Sequence, residues 1–221
     1  MSARARSCNC KEKTMNLDQI IEATSVMPVM VVDRPEDAVP LARALVEGGI
    51  RVLEITLRTA AGLDAVKAIR REVPDAIVGV GTIATPAQLE ASIAAGAQFG
   101  VSPGTTPTLL KAIVDSRLPF FPGVATTSEV MQVLEGGLTV MKFFPAVAAG
   151  GVKMLESFRG PFPQVRFCPT GGINAQNAPD FFKLPNVVCV GGSWLTPKDL
   201  VAAGNWAEIT RLAREAAALK P

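Results

Sequence analysis

Lys142 stands inside the run Leu138-Thr139-Val140-Met141-Lys142-Phe143-Phe144-Pro145. The run reads as a short strand that is apolar on both faces, and a lysine is almost never left idle in such a place. Taking a lysine out of water is how an enzyme prepares an amine nucleophile for Schiff-base chemistry. The bland alternative is a strand-end lysine that snorkels to water. A second out-of-place ionisable group argues against it. In Arg51-Val52-Leu53-Glu54-Ile55-Thr56-Leu57-Arg58, strand alternation puts Val52, Glu54 and Thr56 on one face and Leu53, Ile55 and Leu57 on the other. The aliphatic face should pack under helices, so Glu54 points the opposite way, as Lys142 can with Val140 and Phe144. An inward carboxylate and an inward amine make a base and a nucleophile. A purely structural ion pair is the competing role for Glu54.

The chain has no histidine. Imidazole acid–base catalysis, histidine triads and histidine-ligated metals are therefore excluded, and proton transfer falls to Glu, Asp, Lys or water. No acidic cluster looks like a Mg²⁺ or Ca²⁺ site, and no cofactor is expected. Arg58, after the same strand as Glu54, offers a fork for a substrate carboxylate or is simply a solvated loop arginine.

These groups need a scaffold that brings distant strands together. Eight apolar strand-like runs are expected at 27–32, 51–56, 76–81, 98–101, 118–121, 139–144, 165–168 and 187–190. They alternate with helices at a spacing of about 20 to 28 residues, which predicts parallel pairing with right-handed crossovers. Helix starts carry capping chemistry at Thr85-Pro86-Ala87-Gln88, Thr106-Pro107, Thr126-Thr127-Ser128-Glu129 and Asn174-Ala175. Helix ends fall on glycine: Gly48-Gly49-Ile50, Gly136-Gly137-Leu138 and Gly96-Ala97. Eight such units predict a single (β/α)₈ barrel over 15–221, with 16–24 as an extra N-terminal helix closing its bottom. An open doubly wound sheet is the runner-up, but the glycine fingerprint after the first strand is missing. Residues 1–14, polar and aperiodic, are expected to be a flexible N-terminal tail ahead of a start at Met15.

In a barrel the chemistry sits at the C-terminal strand ends. There the chain places Gly81-Thr82, Ser102-Pro103-Gly104 and Pro122-Gly123. The seventh strand is followed by Pro169-Thr170-Gly171-Gly172 and the eighth by Gly191-Gly192-Ser193. Glycine pairs with hydroxyls after the last two strands match the barrel phosphate site. Tight turns are the plainer explanation for each alone.

Hydrophobic residues make up 48% of the chain, enough for a large core, and the net charge of +2 gives no basic patch for nucleic acid. No apolar stretch is long enough to span a membrane. No signal core precedes the first strand, so a cytoplasmic location is expected. Cys168 and Cys189 sit in apolar runs and are expected as buried thiols. Cys8 and Cys10 read as exposed tail thiols.

The segments 51–58, Val80-Gly81-Thr82, Val101-Ser102-Pro103-Gly104, Lys142-Phe143-Phe144-Pro145-Ala146 and 166–173 resemble those of the bacterial 2-keto-3-deoxy-6-phosphogluconate (KDPG) aldolases. The resemblance covers about residues 16–220. It implies a metal-free class I aldolase on a (β/α)₈ barrel, assembled as a homotrimer, whose partner is a small phosphorylated 2-keto acid. It implies Lys142 as the Schiff-base lysine and Glu54 as the general acid/base. It places Arg58 and Thr82 at the pyruvate carboxylate and the pairs Gly171-Gly172 and Gly192-Ser193 at the phosphate; Pro103, Phe144, Thr170 and Gly191 are further expected substrate-binding residues. One departure is visible: the family's Phe-Pro-Ala is typically followed by Glu, and here by Val147. The rivals are the same chemistry on 4-hydroxy-2-oxoglutarate or on the galactonate epimer, a phosphosugar isomerase with Glu54 as enolising base, and a non-catalytic phosphate-binding barrel.

Overall fold

The computed structural model describes residues 15–219; the expected tail, with Cys8 and Cys10, lies outside them. The strands are β1 Val26–Met30, β2 Val52–Thr56, β3 Ile77–Gly81, β4 Phe99–Val101, β5 Phe120–Phe121, β6 Gly123–Val124, β7 Val140–Phe143, β8 Arg166–Pro169 and β9 Val190–Gly192. The paired strands run parallel. Six form a sheet in the order β5-β4-β3-β2-β1-β9, and three form another in the order β6-β7-β8. β5 and β6 belong to one run interrupted at Pro122, which has no N–H to give the ladder. Parallel bridges Phe167–Val187 and Thr170–Gly191 join the chain around β8 to that around β9. The result is a parallel α/β fold with a curled sheet.

Alternation along the strands sorts the core into two clusters. Leu53 and Ile55 of β2, Val78 and Val80 of β3, and Met141 and Phe143 of β7 pack with Leu41, Leu45, Val66 and Ile69 of the helices. Met27, Val52, Ile77, Phe99, Phe121, Val140, Cys168 and Cys189 form the second cluster, which takes in Ile20 of the first helix, α1 Leu17–Glu22. The expected faces of β2 and β7 are those observed.

The helix signals hold where their geometry is local. Thr85, Thr106 and Thr126 each accept from a backbone N–H three residues on, and Glu129 completes a capping box. Ile50 donates to Leu45 O, Ala97 to Ser92 O and Leu138 to Val133 O. Gly49, Gly96 and Gly137 sit at positive φ in these turns, as glycine-ended helices require.

Two expectations are corrected. Asn174 accepts from Gln176 N and Asn177 N and so caps a turn; the helix begins at Ala178. The eighth expected strand lies later than 187–190. Val187 makes a single bridge, and the regular strand is Val190–Gly192, so Gly191 and Gly192 are strand residues. Their glycine identity has a packing cause: a Cβ on Gly191 would fall on the Thr170 side chain, and one on Gly192 on the Trp194 ring.

Candidate active site

β2 and β7 carry the two central groups. Strand register sets Glu54 level with Val29 of β1 and Gly79 of β3, and Lys142 level with Gly123 of β6 and Cys168 of β8. Residues 88 apart in sequence then meet: Lys142 Nζ donates to Glu54 Oε1 at 3.2 Å, with 5% and 2% of their side chains exposed. Such a pair gains Coulomb energy in a low dielectric but repays desolvation only with good geometry. This places it as a device for chemistry more readily than for stability. Nζ also lies 5.3 Å from the centroid of the Phe144 ring, within cation–π reach.

Gly81, at the end of β3, is what lets the carboxylate sit there. A Cβ at Gly81 would collide with the Oε1, Cδ and Cγ atoms of Glu54. The close approach that this glycine permits is that of Glu54. The next residue, Thr82, has φ 65°. A β-branched residue in the left-handed region is a genuine outlier, and strain of this kind clusters at functional sites.

The other wall is built by packing of backbone on backbone. Pro103 crowds Gly123, whose Cβ would meet the Pro103 carbonyl carbon, and Gly123 N donates to the buried Ser102 Oγ at 3.0 Å. After β7, the Phe144–Pro145 bond is cis. The following turn lies on the loop after β8: Ala146 N donates to Thr170 O at 2.7 Å and Val147 N to Gly171 O at 3.0 Å. Gly171 and Gly172 have φ 103° and 75°, and a Cβ on Gly172 would stand 2.8 Å from the Val147 Cβ. These glycines are therefore needed by the loop itself, whatever the loop binds. The residue that departs from the family pattern, Val147, is the one that packs on this loop.

Arg58 and Ser193 line one cavity of about 400 Å³ together with Val29, Val31 and Asp33. Of the expected substrate residues only Arg58 and Ser193 line it; Gly171 and Gly172 stand apart on the loop after β8, and Thr82, Pro103, Phe144, Thr170, Gly191 and Gly192 are not in its lining either. A larger cavity of about 570 Å³ opens at the N-terminal strand ends, beside Ser25, Ile50 and Val188, and holds none of these residues.

Cys168, level with Lys142, and Cys189 are free and buried, as expected. A hydrogen bond with Cys168, then burial, then the charges of Cys168 and Glu54 push the Cys189 thiol well up, so it stays protonated at neutral pH. Among the described residues no group of three or more Cys, Asp or Glu is placed to hold a metal ion. No helix among them is long and apolar enough to cross a membrane.

An amine held against a carboxylate, inside a parallel α/β sheet, has the parts a Schiff-base lyase needs: a nucleophile for a ketone and a group to move its protons. The chain belongs to the KDPG and KHG aldolase family, whose model matches residues 17–212. It is 53% identical over 201 residues to the 2-dehydro-3-deoxy-phosphogluconate aldolase of Dickeya dadantii (strain 3937), covering 91% of this chain and 94% of that protein. It is 54% identical over 199 residues to the KHG/KDPG aldolase of Escherichia coli (strain K12), covering 90% and 93%. A KDPG aldolase structure from Legionella pneumophila, with pyruvate captured at low pH as a covalent carbinolamine intermediate, superposes with a TM-score of 0.90. It is 47% identical, with 92% of this chain and 99% of that chain covered.

The Gly81–Glu54 contact gives a test that needs no substrate. Gly81→Ala should destabilise the protein by about 1–3 kcal/mol, the usual cost of forcing a methyl into a filled site. In a Glu54→Ala background the added cost should nearly vanish, because the colliding atoms are gone. Urea unfolding of the four proteins measures the coupling. Equal costs in both backgrounds would mean that Gly81 does not serve Glu54.

Proposed function

We propose that this protein is a cytoplasmic class I aldolase that cleaves KDPG to pyruvate and glyceraldehyde 3-phosphate without metal or cofactor. The observation that carries the reading is the buried Lys142–Glu54 pair at 3.2 Å. Glu54 takes a proton from the ammonium and releases the amine, which attacks the C2 ketone. The carbinolamine loses water as Glu54 returns that proton to the departing hydroxyl, leaving an iminium on Lys142. Glu54, directly or through a water, then accepts the C4 hydroxyl proton. The C3–C4 bond breaks, its electrons pass into the enamine, and glyceraldehyde 3-phosphate leaves. Protonation at C3 and addition of water release pyruvate and restore the amine. The iminium serves as the electron sink that a bound cation provides in metal-assisted carbonyl chemistry.

Around this centre, Arg58 and Thr82 are assigned to the pyruvate carboxylate, and Pro103 and Phe144 to the walls beside the reacting carbons. Thr170, Gly171, Gly172, Gly191, Gly192 and Ser193 are assigned to the phosphate end. The scaffold is read as one closed (β/α)₈ barrel forming a single domain. β5 and β6 then count as one strand, the two bridges between the β8 and β9 segments form the seam, and α1 closes the bottom through Ile20. The assembly is read as a homotrimer by family resemblance. Sedimentation should find three chains of 23.2 kDa in one particle; a monomer at micromolar concentration would overturn that assignment.

Pyruvate with borohydride should inactivate the protein and leave one reduced pyruvate on Lys142, located by peptide mapping. An adduct on another lysine, or none, would remove the mechanism and favour the isomerase. Glu54→Gln keeps the shape of the side chain but cannot accept the proton. A fall in kcat of about 10²- to 10⁴-fold is expected, with a modest change in KM. Steady-state pyruvate release within a few-fold of wild type would make Glu54 a structural partner only.

A further inference from the structure

The cavity of about 400 Å³ that holds Arg58 and Ser193 extends past them, between the ends of β9 and β1, to Arg34, Asp37, Thr196 and Lys198. Its charges are not equivalent. Arg34 is tied down: Nε donates to Asp37 Oδ2 at 2.8 Å and Nη2 to Oδ1 at 2.6 Å, and Asp37 is only 7% exposed. That pair cancels and forms a fixed wall. The side chains of Lys198 and Arg58 make no hydrogen bond or ion pair among the described residues, and Asp33 is the one acid of the cavity lining in the same state. Two unpartnered cations against one unpartnered acid leave the cavity positive. Lys198 also follows Ser193 by five residues around the turn Ser193–Thr196, where Thr196 N donates to Ser193 O at 3.2 Å. The lysine and the Ser193 hydroxyl thus belong to the same rim.

We propose that Lys198 is a specificity-determining cation for the phosphate end of the substrate, acting with Ser193 across this rim. The inference rests on the aldolase reading above and adds a residue that neither the glycine loops nor the lysine–glutamate pair supplies. The chemistry follows from shape and charge. A phosphate dianion at Ser193 presents oxygens to both sides. The loop after β8 offers backbone on one side, and the β9–β1 side offers a flexible ammonium, a strong phosphate partner that acts as a point charge. A hydroxyl in the same place gains little from an ammonium at an exposed rim, so Lys198 separates phosphorylated from unphosphorylated acids.

The test compares KDPG with the same 2-keto-3-deoxy sugar acid bearing a hydroxyl in place of phosphate, assayed by pyruvate release from the full-length protein. Lys198→Ala should raise KM for KDPG by about five- to tenfold, the low end for a charge-assisted hydrogen bond at an exposed site, with a smaller effect on the hydroxyl compound. Lys198→Glu should do more, and Lys198→Arg should recover most of the loss. The rise of KM for KDPG with added salt should be shallower in Lys198→Ala than in wild type, since one screened attraction is gone. If Lys198→Glu left the ratio of the two KM values within about twofold of wild type, too small for reversal of a contact charge, Lys198 would have no role in specificity. An equal loss on both substrates would make it structural and overturn the proposal in the same way. Wild-type protein that released no pyruvate from either compound would instead bring down the aldolase reading on which the inference stands.

Discussion

The contact between Lys142 and Glu54 sets the terms for the rest of the molecule. Two ionisable groups out of water are costly unless each satisfies the other, so every element that positions one is answerable to the other. β2 and β7 must turn the same set of alternate residues inward. β3 must end in a residue without a Cβ, because Gly81 lies where the carboxylate needs room. Gly123, level with Lys142, must accept the Pro103 backbone on top of it. What looks like a scatter of glycines at strand ends is a set of clearances, one for the ion pair at Gly81 and the others for the loops and side chains packed around it.

The same clearances change how the loop after β8 is understood. Gly171 and Gly172 are glycines by backbone conformation and by contact with the turn after β7, and Gly191 by contact with Thr170. A substitution there disturbs the loop before it disturbs a ligand. Under the proposed assignment, Ser193 and Lys198, exposed side chains of the cavity lining, are the cleaner positions at which to test ligand chemistry.

The pair itself was legible in the sequence, because a period of two along a strand is a local rule and both residues broke the apolar pattern at inward positions. Helix starts at Thr85, Thr106 and Thr126 and helix ends at Gly49, Gly96 and Gly137 were legible for the same reason: a cap is settled within a few residues. The later start of β9 was not, since Val187 to Cys189 are as apolar as a strand, and only the geometry of the neighbouring Phe167 decides where regular pairing begins. The interruption at Pro122 was written in the chain, yet its effect, two short strands in place of one, depends on which side of the ladder needed the missing N–H. The service of Gly81 to Glu54 and the packing of Val147 on Gly172 are contacts between separate loops and strands, and nothing in local periodicity encodes them.

The sequence distance between Lys142 and Glu54 has a consequence for biogenesis. Because the two lie 88 positions apart, the carboxylate side of the sheet leaves the ribosome long before the amine side exists. Until β7 docks, Glu54 has no cationic partner, and an unpaired inward carboxylate disfavours any compact early half. Closing so long a loop is slow relative to local helix formation. The ion pair therefore acts as a checkpoint on synthesis: the nascent chain gains its full reward for collapse only when enough of it has emerged to be an enzyme.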